Sequence, residues 1–163
     1  AIEHLLEQGK RDIAIISGHF SPYVYNERFR GYTDTLKNHG IPINEAFIKT
    51  VEPTMAEAMH TAQQLLSLKH RPDAIFATND IIAIGAVKIA LRAHIAIPKD
   101  IAIVGFDDSN FSEIIEPELT TVRIDKEEMG KLAAGKLIDI LEKNSTGKQV
   151  HVCGTQLIIR GTA

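Results

Sequence analysis

The chain has 163 residues, 44% hydrophobic and 24% charged, which suits one globular domain, or one domain with a piece of another. Its net charge of −3 and pI of about 6.2 give no general attraction to phosphate backbones, so nucleic-acid contact is not expected of this segment. A lone cysteine, Cys153, excludes an internal disulfide and is compatible with a reducing compartment, and no apolar run approaches the roughly 20 residues that cross a bilayer.

Ala1 to Gln8 reads as the closing turns of a helix ended by Gly9. With no initiator Met and no secretion signal, that opening is expected to be a boundary within a longer protein. Asp12-Ile-Ala-Ile-Ile-Ser-Gly18 is a strand, apolar without interruption as strands buried on both faces are. Asn26 to His39 is a helix with Phe29, Tyr32 and Leu36 on one face, closed by Gly40 and Pro42. Ala46 to Val51 forms a second strand. Thr54-Met-Ala-Glu57 has the capping-box spacing and opens a helix expected to bury Met55, Ala58, Met59, Ala62, Leu65 and Leu66.

Asp73 to Thr78 is a third strand, and Asn79 begins a helix that carries Ile81, Ile82, Ile84 and Val87. Ile101 to Phe106 is a fourth, ending at Asp107-Asp108. Strict alternation of strand and helix implies an α/β fold, a doubly wound parallel sheet with right-handed crossovers and helices on both faces. The rhythm then changes. Leu119 to Ile124 is extended, Lys126 to Lys143 is a long amphipathic helix, Asn144-Ser-Thr-Gly147 is a polar turn, and Val150 to Ile159 is the last apolar stretch. This final third is expected to leave the sheet and return.

Open parallel sheets bind ligands beyond the carboxyl ends of their strands. There stand Ser17-Gly18-His19 with the segment to Arg28, Val51 to Thr54, Asn79-Asp80, and Asp107-Asp108. A carboxylate (Asp107), an amide (Asn79) and a guanidinium (Arg28) converging on one cleft suit a neutral polyhydroxylated ligand. Taken alone, Asn79 and Asp80 read equally well as helix caps, and Asp108 reads as a structural cap.

Other chemistries fail on inspection. Gly130-Lys-Leu-Ala-Ala-Gly135-Lys136 has phosphate-loop spacing, but Leu137 stands where a hydroxyl should hold magnesium, and the segment lies inside a helix. No G-x-G-x-x-G follows a strand and no G-x-S-x-G elbow exists. The histidines lack metal-ligand spacing. A phosphoacceptor receiver domain needs an acidic pair after its first strand, where this chain has Ser17-Gly18-His19. No metal, no cofactor and no enzymatic activity are expected.

Arg71-Pro-Asp-Ala-Ile-Phe-Ala-Thr-Asn-Asp80 with Ala83-Ile-Gly85, Ile97-Pro-Lys-Asp-Ile-Ala-Ile-Val-Gly-Phe-Asp-Asp108 and Pro117-Glu-Leu-Thr-Thr-Val122 resemble the lactose/galactose repressor family of bacterial transcription regulators. Asn26-Glu-Arg-Phe-Arg-Gly-Tyr32 and Leu157-Ile-Ile-Arg160 fit as well. The resemblance implies a two-lobed effector-binding core like that of periplasmic sugar-binding proteins, following a helix-turn-helix that is absent here. By that analogy, residues 1–121 and 156–163 form the C-terminal lobe. Residues 122–155 are an excursion belonging to a mostly absent N-terminal lobe.

The resemblance also implies that Arg28, Asn79 and Asp107 contact the effector, and that Ile84, Val87, Lys88, Ile114 and Ile115 line a homodimer seam near Phe111. Val51-Glu-Pro-Thr54 stands where the family often has an aromatic that stacks on the ligand. Val24 and Pro22 stand where some purine-binding members carry polar contacts, which favours a sugar over a purine. His94 stands where the family usually has a helix-ending glycine. The implied protein is a cytoplasmic, non-membrane regulator that controls operator DNA in response to a small molecule. Its rival is a periplasmic sugar-binding protein of a transport system, which shares the fold.

Overall fold

The computed structural model describes residues 1–19, 23–143 and 151–163; Pro22, the turn at 144–147 and Val150 lie outside the described residues. In chain order the elements are α1 (Ile2–Glu7), β1 (Ile13–Ser17), α2 (Tyr23–Asn38), β2 (Ile48–Thr50), α3 (Met55–Leu66), β3 (Ala74–Ala77), α4 (Asp80–Arg92), β4 (Ala102–Asp107), β5 (Thr120–Ile124), α5 (Lys126–Lys143) and β6 (Thr155–Ile158). The second strand is shorter than its apolar run because Asn44 caps a 3-10 turn at Glu45–Phe47, its Oδ1 accepting from Ala46 N–H at 3.0 Å. A second 3-10 turn, Asn110–Glu113, follows β4.

The strands form one six-stranded sheet in the order β2-β1-β3-β4-β5-β6. Each neighbouring pair from β2 to β5 is parallel, and β6 runs antiparallel to β5. Successive side chains of a strand point to opposite faces, and here both faces are covered. Ala14, Ile16, Ile75, Ile101 and Ile103 pack with α3 and α4. Ile13, Ile15, Phe76 and Val104 pack with α1 and α2. Burying each such isoleucine contributes about 1.5–3 kcal/mol, so this doubly wound layering accounts for the uninterrupted apolar runs.

Three details tighten the layers. Thr54 caps α3 as its spacing predicts, accepting from Glu57 N–H at 3.3 Å. Gly85 lets α4 close on α3, since a Cβ there would sit 2.6 Å from Ala58 Cβ. Tyr32 donates its hydroxyl to Ile13 O at 2.8 Å, and burial, with Glu45 adding, pushes that phenol up to about 12. His94 does take the left-handed backbone, with φ of 55° after α4.

The β5–β6 ladder continues through Ile124↔Thr155. Residues 122–124 and 155 are therefore still part of this sheet, although the analogy placed them in the excursion. Val122 pairs with Phe106 on one side and Leu157 on the other, which holds the strand in register beyond the expected exit. Beyond that ladder α5 leaves Leu137, Ile138 and Leu141 exposed. The chain end returns to the sheet: Ile103 N–H donates to Thr162 O at 2.8 Å, and Thr162 donates its hydroxyl to Ile103 O at 2.7 Å.

Candidate ligand-binding site

β1 connects to β2 on one side and β3 connects to β4 on the other, so these connections diverge and open a crevice between the carboxyl ends of β1 and β3. Arg28 reaches this edge from α2 and Asp107 from the end of β4. Arg28 Nη2 donates to Asp107 Oδ1 at 3.2 Å, and Nη1 donates to Thr78 O. The guanidinium carbon lies 3.7 Å from the Phe106 ring centroid, which fixes the plane of the fork. Arg28 and Asp107 are thus brought together at this edge.

The electrostatics of this pair are those of partly desolvated charges. Burial pushes the Asp107 carboxyl above its usual range, Arg28 only partly offsets that, and Asp80 adds to it. Burial likewise lowers Arg28, against the pull of Asp107. Asp107 also has φ of 110° and Asp108 φ of 45°. Non-glycine residues in such regions cost on the order of 1–3 kcal/mol and cluster at ligand sites, where the side chain is needed more than the relaxed backbone.

Asn79 serves both readings considered for it. Its Oδ1 accepts from Ile82 N–H at 2.9 Å, capping α4. With Asp107, Pro53, Ile81, Ser109 and Phe111 it also lines a cavity of about 280 Å³. Arg28 lines a different groove, of about 380 Å³, with Ile2, Tyr32, Phe76, Phe106 and Val122 on the α2 face of the sheet. Asp107 is thus the residue shared between the arginine and the cavity. Pro53 occupies the place where the family's aromatic was expected, and it does border that cavity.

Asp108 is structural, though not as a cap. It accepts from Arg160 Nη1 at 2.9 Å and Arg123 Nε at 2.5 Å. Burial raises this carboxyl, but the two arginine hydrogen bonds outweigh burial and hold it below its usual range. Sequence reasoning placed His19 and Glu52 at the strand ends without pairing them; they form an exposed pair 2.5 Å apart at the ends of β1 and β2. Gly18 leaves room for the Tyr25 ring, which a Cβ there would meet at 2.7 Å.

The residues assigned to a dimer seam divide. Val87 is 3% exposed and sits in the core, so it offers a partner no area. Ile84 and Ile115 are half-buried against that core, Lys88 is exposed, and Ile114 is 73% exposed. Ile81 and Phe111 add further exposed apolar surface beside the cavity. Among the described residues no group of His, Cys, Asp and Glu is arranged to hold a metal, and no helix is long and apolar enough to cross a membrane.

A family profile described as a periplasmic binding protein-like domain matches residues 2–163. The probable HTH-type transcriptional repressor ExuR of Bacillus subtilis is 32% identical over 160 residues, covering 98% of this chain and 48% of that protein. The HTH-type transcriptional repressor CytR of Escherichia coli K12 is 32% identical over 162 residues, covering 99% of this chain and 48% of that protein. Among solved structures, the transcriptional regulator CelR in complex with cellobiose superposes with a TM-score of 0.95 at 30% identity, over 100% of this chain and 50% of that one. The chain therefore spans about half the length of the relatives it matches.

Proposed function

The chain belongs to the periplasmic binding protein-like domain family, and on that footing we propose that it is the effector-sensing part of a LacI-type transcription regulator. The observation that carries this reading is the Arg28–Asp107 pair at the carboxyl ends of the strands, with Asn79 sharing the cavity that Asp107 lines. Arg28 orients the carboxylate, Asp107 accepts from two neighbouring hydroxyls, and the Asn79 amide donates. That donor and acceptor set suits a sugar, and cellobiose is what CelR holds.

The rest of the protein follows from the same reading. A second lobe would cover the exposed Leu137 and Leu141 of α5. The effector would bind the closed pair of lobes better than the open pair and shift operator affinity by no more than that difference. Operator contact would come from a helix-turn-helix elsewhere in the protein, in the cytoplasm. Two copies would meet through Ile84, Lys88, Ile114 and Ile115. A transport role on the same fold is disfavoured because the relatives are named as transcriptional repressors.

The test is calorimetric titration of the full-length regulator with cellobiose, glucose and sucrose, repeated with Asp107→Ala. Binding of one sugar that disappears in the variant supports the assignment. Undiminished binding by Asp107→Ala overturns it.

A further inference from the structure

Asp80 opens α4 directly after Asn79, yet its carboxylate does not turn to solvent; the residue is 2% exposed. Its Oδ2 accepts from Ser109 N–H at 2.6 Å and from the Ser112 hydroxyl at 2.8 Å, and its Oδ1 accepts from the Thr121 hydroxyl at 2.6 Å. The sheet makes room for it at Gly105, where a Cβ would stand 2.5 Å from Asp80 Oδ1. A carboxylate in the first turn of this helix is also favoured by the helix dipole. The charge is thereby held on the inside of the fold by donors from separate segments.

Those segments are the ones the ligand site depends on. Ser109 lies two residues beyond Asp107, at the end of the stretch where Asp107 and Asp108 both have positive φ. A backbone in that region does not hold itself, and something outside it must fix the geometry. Ser112 belongs to the 3-10 turn that carries Phe111, beside the exposed Ile114. Thr121 lies in β5 and also accepts, more weakly, from Asp108 N–H at 3.4 Å.

We propose that Asp80 is the positioning residue of the effector site: it fixes the backbone that aims Asp107 and ties that backbone to the turn at Asn110–Glu113 and to β5. The proposal rests on the effector reading above. Asp80 borders the same cavity as Asp107, but its carboxylate oxygens are taken up by Ser109, Ser112 and Thr121, so it acts through Asp107.

The test is amide hydrogen exchange and carboxyl titration by NMR on the full-length protein. In Asp80→Asn, exchange at the Ser109 amide speeds by about tenfold or more, the loss of one charge-assisted hydrogen bond. Amides 107–113 follow, while β1 and α3 keep their protection. The Asp107 carboxyl then titrates lower than in the wild type, because a neighbouring negative charge has gone, which checks that the two carboxylates face one another in the folded chain. Thr121→Val removes one donor, leaves the charge, and gives a smaller loss at the same amides, which keeps the proposal testable if Asp80→Asn does not fold. Unchanged exchange at Ser109, or an equal loss over the whole sheet, overturns the proposal. Neither readout needs an effector, so failure of this role and failure of the sugar reading are seen separately.

Discussion

Asp107 and Asp108 follow one another in the chain, both at positive φ, and their carboxyls are shifted in opposite directions. The cause is what each one meets. Burial pushes Asp107 up, opposed by one arginine that is itself partly desolvated and helped by the like charge of Asp80 nearby. Asp108 has hydrogen bonds from two arginines on β5 and just past β6. Neighbouring carboxylates with environments this different take different roles: Asp108 is an anion held inside an ion network, and Asp107 is a costly charge left facing a cavity.

That contrast sets the pH dependence of an Asp107→Asn variant. A carboxyl raised in the folded state contributes stability that is present below its unfolded value, near 4, and lost as pH rises through the higher folded value. At neutral pH the Asp107 charge therefore works against folding. Asp107→Asn is expected to be at least as stable as the wild type at pH 7, and to lose that advantage toward pH 4. Urea unfolding at the two pH values checks the sign, and a variant that is less stable only at pH 7 contradicts it.

Asp108 runs the other way. Its folded value is lowered, so its contribution is present above about 4 and lost as pH falls through the folded value. Its side chain is 8% exposed and that of Arg160 is 7% exposed. Removing one partner of such a pair leaves an uncompensated buried charge, at a cost of about 3–5 kcal/mol. Glu113 and Leu119 O also hold Arg160, which places Asp108→Ala at the lower end of that range. Thermal melts should show a large loss for Asp108→Ala at pH 7 that narrows in acid.

These contrasts mark where the sequence is legible. Alternating strands and helices imply parallel pairing, and parallel pairing places ligands at the strand ends, where Arg28, Asn79 and Asp107 stand among other candidates such as His19, Val51 to Thr54, Asp80 and Asp108. The residues it mishandles are those whose role is settled by a partner far along the chain. Asp108 looks like a cap until Arg160 arrives from beyond β6. Asp80 looks like a first-turn aspartate, and nothing local says that Ser109, Ser112 and Thr121 will enclose it. Val87 is a different case, because a signal was present. Ile82, Ala83, Ala86, Val87 and Ala90 form one helical stripe, and all of them are buried in the core.

The approach of α3 to α4 gives a prediction independent of the ligand site. At Gly85 an added Cβ meets Ala58 Cβ at 2.6 Å and the Ala58 backbone carbon at 3.3 Å. Ala58 is itself fully buried, and its backbone cannot give way as the end of a flexible side chain could. Gly85→Ala should gain up to about 1 kcal/mol of helix propensity and lose more to overpacking, which costs about 1–3 kcal/mol. A lowered melting temperature is the expected result. An unchanged or raised one would mean that the two helices can part without penalty.

The proposed dimer seam is separated from the core by two substitutions. Ile114 is 73% exposed, so Ile114→Glu leaves the fold of one chain intact and places a charge in an apolar seam. Val87 is 3% exposed within the α4 core, so Val87→Ala opens a cavity and lowers stability by about 1–3 kcal/mol without touching a seam. Sedimentation velocity on the full-length regulator should find Ile114→Glu shifted toward monomer with an unchanged circular dichroism melt. Val87→Ala should remain associated and melt lower. If Ile114→Glu sediments as the wild type does, the copies meet through another surface, and the exposed Ile81, Phe111 and Ile114 must serve something else.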